Sequence, residues 1–417
     1  MQNSTNKPTM QNRNQNLSLI NAYGDLYFYF RSDHLFRQYI LDVGRSLNIR
    51  GGFNIVLEHL QKLVSKKVPV PKGEFPISCR FRRIRGTHVQ FLNRILGTKL
   101  DALEGNVSRL TKRSGRGGIK NPKFPSGEKL MVALSRLAAT TLADGHLKPN
   151  GTIEYFEPEL ERIKLVEKTL RVFGDIRANP KLVKRDNVYV CYFPSPLGKA
   201  LQYYGLIPGN KSILNPKLPS FILEGSLRTL CAFFEDFVPQ DGSITSKSKR
   251  FELAQSNTLD SGINALEYPD SPELPTTMVD FLKRHGKQEQ TCWVLSISKL
   301  RRLSARNRLA QDLVKQIETH TSNLIEDSVR VAQRLGVSME SKPCTVRYFN
   351  KTGKVTISWV ARTGTIDDTI RLGIIAPPND VKKRHVLKQI MMTKPRLVAR
   401  TLRNLTKDDI AFDIWWN

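Results

Sequence analysis

The sequence has 417 residues, of which 40% are hydrophobic, and this is enough for two or three domains with hydrophobic cores rather than a disordered chain. Its 66 Lys and Arg residues outnumber 38 Asp and Glu residues, which gives a formal net charge of +28. An excess of this size favours a polyanionic partner. Charge alone does not distinguish DNA from RNA.

The cysteines and the hydropathy pattern indicate a reducing compartment. The five cysteines are odd in number and widely spaced, and they form no Cys-x-x-Cys pair. No apolar run approaches the ~18 residues of a membrane span, and residues 1–20 lack the apolar core of a signal peptide. We therefore expect a cytoplasmic monomer, organellar in a eukaryotic host, with no membrane partner.

The N-terminal third is predicted to be helical. Residues 1–18 are polar and are expected to form a disordered leader, and residues 19–113 are expected to form a helical domain. Within it, a helix over 88–96, a stop at Gly97 and a second helix to residue 110 predict either a helix-turn-helix or an ordinary helical hairpin. Basic residues on both flanks favour nucleic-acid binding: Arg80, Arg82, Arg83, Arg85, Lys112, Arg113 and Arg116. Residues 114–127 are expected to be a basic linker.

The rest of the chain is predicted to contain a repeated unit. Residues 128–228 have the pattern of a helix, two strands, a helix, two strands and a helix. Residues 229–380 are expected to repeat this order, because the sequence around Gly205 is echoed around Gly373. Matching motifs lie further apart in the second copy, which predicts an insertion near 257–309. Residues 381–417 are expected to form a C-terminal extension.

Two Asp-Gly pairs, at 144–145 and 241–242, follow apolar stretches with helical spacing. Carboxylates at helix ends, together with main-chain carbonyls, are suitable ligands for a hard cation, and the glycine permits a sharp turn into a strand. Two carboxylates about 4 Å apart would repel by about 4 kcal/mol at an effective dielectric of 20, which a divalent cation would relieve. The seven histidines never stand at metal-ligand spacing, so a metal here would be held by carboxylates.

The first pair ends a recognisable motif. Residues 137–145 read Leu-Ala-Ala-Thr-Thr-Leu-Ala-Asp-Gly, which resembles the nine-residue signature of the LAGLIDADG (DOD-type) homing endonucleases at positions one, two, seven, eight and nine. Segments 144–147, 157–160, 204–211 and 217–222 resemble further segments that occur in that family in this order. The similarity covers about residues 128–256 well and 320–380 more loosely, and residues 1–127 lie outside it.

The resemblance implies an α+β fold in which two pseudo-symmetric αββαββα units form a saddle of antiparallel strands that grips the major groove of double-stranded DNA. It implies a single-chain, two-repeat endonuclease of the intron-homing type that hydrolyses phosphodiester bonds with Mg²⁺ or Mn²⁺. Asp144 and Asp241 would then be catalytic metal ligands. Lys217, which precedes a Leu-Pro-x-x-Ile segment, would be a catalytic helper.

The sequence departs from the family pattern twice. In the first motif, Thr140, Thr141 and Leu142 replace the usual residues but leave the essential eighth position acidic. The second motif contains about three extra residues before Asp241, and Pro239 is expected to break its helix early. Asp241 is favoured as the second acid because Gly-Ser-Ile follows it, and the alternatives are Glu235 and Asp236.

Basic residues in predicted strands and hairpins near each Asp-Gly pair are expected to bind DNA phosphates. They are Arg177, Lys181, Lys184 and Arg185 in the first copy and Lys247, Lys249 and Arg250 in the second.

Two alternatives remain open at this point. The irregular second motif also fits a catalytically inactive DNA-binding regulator, or an RNA maturase, with the same fold. An intein endonuclease is disfavoured because Met1 begins the chain and Trp416-Asn417 ends it, so a free-standing protein is expected.

Overall fold

The computed structural model describes residues 19, 21–68, 77–79, 82–98, 100–112, 118–244, 249–259, 278–289, 291–351, 354–376 and 381–404. The chain divides into two compact units, Met1–Pro208 and Gly209–Asn417. This division precedes the boundary predicted between residues 228 and 229. The predicted leader, residues 1–18, lies outside the described part of the chain. In that part, no helix is long and apolar enough to cross a membrane.

The N-terminal part of the first unit contains a sheet as well as helices. Its elements are β1 (Tyr27–Phe30), α1 (Asp33–Ser46), α2 (Phe53–Lys67), β2 (Ile77–Ser78), β3 (Arg83–Arg85), α3 (Gly86–Leu96), β4 (Val107–Thr111) and β5 (Ile119–Lys120). The strands form an antiparallel sheet in the order β2-β3-β1-β4-β5. The helices α1, α2 and α3 lie in the domain predicted to be helical, residues 19–113, but the prediction did not include this sheet.

The predicted helix-turn-helix over 88–110 is also not formed. The first helix is present as α3, and Gly97 ends it in the left-handed conformation at φ 63°. The expected second helix is instead a short 3-10 turn, Leu100–Leu103, followed by strand β4. Gly105, at φ 84°, turns the chain between them. Val107 and Leu110 are buried where β4 pairs with β1, so tertiary pairing overrides the local helical pattern.

The remainder of the first unit has the predicted order of helix, two strands, helix, two strands and helix. Its elements are α4 (Gly127–Leu142), β6 (Gly145–Leu147), β7 (Ile153–Glu157), α5 (Leu160–Leu170), β8 (Lys181–Val183), β9 (Val188–Phe193) and α6 (Ser195–Tyr203). The strands form an antiparallel sheet in the order β6-β7-β9-β8. Residues 137–142 of α4 are buried on every side, so this helix is central to the core.

The second unit contains a six-stranded sheet. Its elements are α7 (Lys211–Leu214), α8 (Ser220–Leu223), α9 (Leu227–Asp241), β10 (Gly242–Ile244), β11 (Phe251–Thr258), α10 (Met278–His285), β12 (Lys287–Glu289), β13 (Cys292–Ser296), α11 (Ile297–Ser304), α12 (Arg308–Thr319), α13 (Asn323–Arg334), β14 (Met339–Phe349), β15 (Lys354–Thr363), α14 (Ile366–Ile375), α15 (Val381–Met392) and α16 (Pro395–Asn404). The strands form an antiparallel sheet in the order β10-β11-β15-β14-β13-β12.

The second half of the first unit and the second unit share one strand order when the insertion is set aside. In β6-β7-β9-β8 and in β10-β11-β15-β14, the spatial order is first, second, fourth and third strand of the repeat. The added elements lie between β11 and α13: α10, β12, β13 and α11 fall inside the range predicted for the insertion, 257–309, and α12 extends beyond it. Strands β13 and β12 extend the sheet from β14. The structure is thus α+β with antiparallel sheets.

A buried polar cluster connects β7 to α5 in the first unit. Glu157 and Arg162 are 5% and 6% exposed, and Arg162 Nε lies 3.2 Å from Glu157 Oε2. The Tyr155 hydroxyl donates to the same oxygen at 2.9 Å, and the main-chain N–H of Glu159 donates to Oε1 at 3.1 Å. Burial raises the pKa of the Glu157 carboxyl, against the effect of these donors.

Replacing Arg162 by Met should destabilise the protein by about 3 kcal/mol at neutral pH, because it leaves a buried carboxylate without its cation. The raised folded-state pKa of Glu157 means that the native state binds the proton more tightly than the unfolded state. The contribution of Glu157 to stability should therefore fall as the pH rises from the ordinary glutamate pKa through the raised one. The stability loss caused by Arg162→Met should be smaller in acid. Urea denaturation at pH 5 and pH 7.5 measures this.

The control is Arg171→Met. Arg171 is 67% exposed and lies 3.7 Å from Glu167, so its removal should change stability by no more than about 0.5 kcal/mol. Equal losses in the two variants, or a loss from Arg162→Met that does not depend on pH, would contradict the role given to the buried pair.

Candidate active site at two acidic helix ends

The first Asp-Gly pair lies where α4 meets the sheet of its unit. Helix α4 ends at Leu142, and the N–H of Ala143 still donates to Ala139 O. Asp144 follows in the turn and is half-buried, and Gly145 begins β6. The main-chain oxygen of Asp144 accepts from the Phe156 N–H of β7 at 3.1 Å. These contacts hold the carboxylate at the C-terminal end of a buried helix.

The glycine of each pair packs directly against the last turn of the preceding helix. A Cβ added to Gly145 would lie 2.7 Å from Thr141 Cα and 3.0 Å from Thr141 O. A Cβ added to Gly242 would lie 2.2 Å from Val238 O. Cβ atoms do not approach main-chain atoms so closely, so only glycine fits at both positions.

The second Asp-Gly pair ends α9, and the prediction that Pro239 breaks this helix early is wrong. Helix α9 continues through Pro239 to Asp241, and the N–H of Gly242 donates to Val238 O. Proline removes one helical N–H but leaves the following ones available. The side-chain amide of Gln240 also donates to the Asp236 carbonyl at 2.7 Å, which supports the last turn.

Two residues that the sequence did not single out contact the second pair. The Gln255 side-chain amide, on β11, donates to Asp241 Oδ2. The Lys383 ammonium, on α15, donates to the Gly242 carbonyl at 3.1 Å. Lys383 belongs to a Lys-Lys-Arg run that resembles an ordinary solvated face, and Gln255 has no distinctive spacing. Only the tertiary structure places them here.

Asp241 has the same relation to its sheet as Asp144. Gly145 pairs with Tyr155 of β7, and Gly242 pairs with Leu253 of β11. The alternative acids, Glu235 and Asp236, lie inside α9 rather than at its end, and Asp236 is buried. The correspondence with the first repeat favours Asp241, whose chemical role remains a prediction.

Lys217 is exposed in the loop between α7 and α8. The adjacent Leu218 N–H donates to Asp327 Oδ2 on α13 at 2.9 Å. Burial raises the pKa of the Asp327 carboxyl, and the charge of Lys217 partly opposes that effect. This loop thus contacts α13, and its Asn215 also contacts Asn257 of β11. A catalytic role for Lys217 stays a prediction.

The residues predicted to bind DNA are exposed wherever they are described. In the first unit they lie before β8, on β8 and in the following turn: Arg177, Lys181, Lys184 and Arg185. In the second unit Lys249 and Arg250 precede β11, whereas Lys247 lies outside the described residues. Phe156 and Tyr192, on β7 and β9, are 40% and 51% exposed, so the sheet of the first unit presents aromatic side chains beside this charge.

Metal ligands at each turn are few. No group of three or more His, Cys, Asp or Glu side chains that could hold a metal occurs among the residues for which the structure gives positions. Each turn offers one carboxylate and main-chain carbonyl oxygens, which are the hard donors that Mg²⁺ and Mn²⁺ prefer. The donor type therefore fits such a cation, and further ligands at a turn would have to be water or phosphate oxygens.

No protein-family model matches the sequence. No curated protein matches it. Among solved structures, the chain is similar to one from a study of mesophilic variants of the homing endonuclease I-DmoI, at 10% identity and a TM-score of 0.28, with 60% of this chain and 96% of that chain covered. At this identity and score the likeness establishes neither a family nor an activity.

Replacing Gly145 by Ala should destabilise the first unit by about 2 kcal/mol, because the new Cβ would overlap the main chain of α4. Gly242→Ala should do the same in the second unit. The matched control is Gly52→Ala, where no atom lies within 4 Å of the added Cβ. Urea denaturation, monitored by circular dichroism, measures the free energy of unfolding of the three variants. A Gly145→Ala protein as stable as Gly52→Ala would show that the turn tolerates a side chain.

Proposed function

We propose that the chain is a site-specific endonuclease that hydrolyses phosphodiester bonds of double-stranded DNA with Mg²⁺ or Mn²⁺, and that Asp144 and Asp241 are its catalytic carboxylates. One observation carries this proposal. A helix-end aspartate followed by a glycine that no other residue can replace occurs twice, at the same place in two repeats of one strand order. Close packing accounts for the glycine at each turn, but not for the aspartate that precedes it in both repeats.

The proposed chemistry depends on hard oxygen ligands. A bound Mg²⁺ or Mn²⁺ would stabilise the charge that develops on the phosphate and lower the pKa of the attacking water. Asp144 in one repeat and Asp241 in the other would each hold such a cation, together with main-chain carbonyl oxygens of its own turn. The hydrogen bond from Gln255 fixes the orientation of the Asp241 carboxylate, and the one from Phe156 fixes the main chain at Asp144.

DNA would bind along the strands. We propose that each unit contacts the major groove with its own strands, β6–β9 in the first and β10, β11, β14 and β15 in the second. The exposed basic residues of each unit would contact phosphates, which gives affinity without sequence preference. Side chains on the exposed faces, including Phe156 and Tyr192, would contact bases.

The second Asp-Gly turn supports a rival function, a DNA-binding regulator or an RNA maturase without cleavage. There, Gln255 already engages the Asp241 carboxylate, and the Lys383 ammonium already engages the Gly242 carbonyl. Oxygens that the protein itself satisfies are poorer ligands for a cation. The nuclease is preferred because Asp144 is acidic at the eighth position of the signature. The second turn also has the same helix-to-strand geometry as the first.

Full-length protein incubated with a library of duplex targets and Mg²⁺ or Mn²⁺ should cut both strands of a few targets. Asp144→Asn and Asp241→Asn should each lower the cutting rate by about a hundredfold or more, because losing a metal ligand removes several kcal/mol of transition-state stabilisation. Binding to the selected target should persist.

Asp42→Asn, on the exposed side of α1, is the control and should cut like the wild type. Glu235→Gln and Asp236→Asn test the alternative second acids and should cut far better than Asp241→Asn. Stable binding of a footprinted target without cutting, under both metals, would favour the regulator and contradict the nuclease.

A further inference from the structure

The N-terminal sheet has two faces of opposite character. Phe28, Ile84 and Leu110 are aligned in register across β1, β3 and β4, and all three are fully buried. Ile77 and Ile119 extend this row to the edge strands and are also buried. This face is the hydrophobic core of the N-terminal part.

The opposite face carries a row of basic side chains. Tyr29 pairs with Arg83 on one side and with Arg109 on the other, and Arg109 pairs with Lys120. Residues directly opposite one another on neighbouring strands project from the same face of a sheet. Arg83, Arg109 and Lys120 therefore form a line perpendicular to the strands, about 14 Å long at about 4.8 Å per strand. We call these three residues the basic row.

The basic row places several cationic side chains on one accessible face. Arg109 and Lys120 lie directly opposite each other on neighbouring strands. Arg83 and Arg109 are half-exposed and Lys120 is exposed, so a ligand can approach from solvent. A polyanion is the ligand that this charge would attract.

Arg83 is held in a fixed orientation. Its guanidinium lies over the Tyr27 ring at 4.7 Å and over the Tyr29 ring at 6.0 Å, and its Nη1 donates to the Tyr29 hydroxyl at 3.1 Å. Stacking on aromatic rings fixes the planar fork of an arginine and so lowers the entropy that is lost when it binds a phosphate.

The basic row leads to the charged surface of the first repeat. Lys120 forms an isolated bridge with Asp175, and their main chains are joined by hydrogen bonds of 2.8 and 3.4 Å. The Asp175 carboxylate accepts from Asn121 at 2.5 Å, and Arg177, two residues further on, is exposed. Arg177 would give a phosphate contact near the end of the basic row, beyond the Asp175 carboxylate, which Asn121 already engages.

We propose that the basic row binds the sugar–phosphate backbone of duplex DNA outside the segment that is cut, which rests on the proposed DNA endonuclease function. The N-terminal part then lengthens the DNA footprint through a sheet face instead of the recognition helix that the sequence suggested. Because its ligands are phosphates, this contact adds affinity and salt dependence without sequence preference.

The test measures by fluorescence anisotropy how the full-length chain binds a long duplex of about six helical turns at several salt concentrations. Each phosphate contact contributes about 0.9 to the slope of log affinity against log salt concentration. The double variant Arg109→Gln/Lys120→Gln should lower the slope by roughly 1.8 and weaken binding about tenfold. Lys120→Gln alone, at an exposed edge position, should lower it by about 0.9 and guards against misfolding of the double variant.

The control is Arg37→Gln/Lys62→Gln, which removes the same charge from exposed positions of α1 and α2 and should leave the slope near that of the wild type. Equal changes in the control and in the basic-row variants would indicate a bulk-charge effect and overturn the proposal. So would an unchanged slope in both basic-row variants, or stronger competition by duplex RNA than by duplex DNA.

Target cutting separates this proposal from the proposed function. If the basic row extends the footprint, the double variant should still cut a short target that spans only the cleaved segment, at a rate close to that of the wild type. An unchanged salt slope with normal cutting would contradict the proposal for the basic row but not the proposed nuclease function. A wild-type chain that neither binds nor cuts duplex DNA would contradict both proposals.

Discussion

The close approach of a glycine to the end of a buried helix is the constraint on which the rest of the structure depends. At Gly145 and at Gly242 the chain passes so near the last helical turn that no Cβ can be accommodated. The strand therefore begins directly at the helix end, and the preceding aspartate is held between helix and sheet. Repeating this turn in two units of equal strand order gives each unit one carboxylate in the same place. The proposed chemistry follows from that placement.

Prediction from the sequence succeeded where structure is determined locally. The apolar spacing of residues 137–142, the turn at 149–151 and the alternation in 153–156 indicate α4, the hairpin turn and β7. It failed where pairing partners are distant. Residues 107–111 fit a helical pattern, yet they pair with β1, about eighty positions earlier. Pro239 predicts a helix end, but α9 continues beyond it. The hydrogen bond from the Gln240 side chain to the Asp236 carbonyl supports its last turn and cannot be predicted from the sequence.

Of the residues at the candidate site, the sequence predicts only the two aspartates. Asp144 and Asp241 carry a motif, whereas Gln255 and Lys383 approach the second turn from a strand and from the C-terminal extension. The surroundings of the two turns also differ. Glu157, whose carboxyl pKa is raised by burial and further by the charge of Asp144, belongs to the first. The Lys383 ammonium belongs to the second. The repeats thus share a main-chain geometry but present unequal electrostatic environments, which the sequence pattern did not reveal.

Iron-directed cleavage of the protein tests the central claim most directly. Fe²⁺ bound in place of Mg²⁺, with ascorbate and peroxide, generates radicals that cut the polypeptide close to the metal. The account predicts cuts beside residues 144 and 241, suppressed by excess Mg²⁺ and weakened at the altered turn in Asp144→Asn and in Asp241→Asn. Cuts at other places, unaffected by these substitutions, would contradict a catalytic cation at the two helix ends.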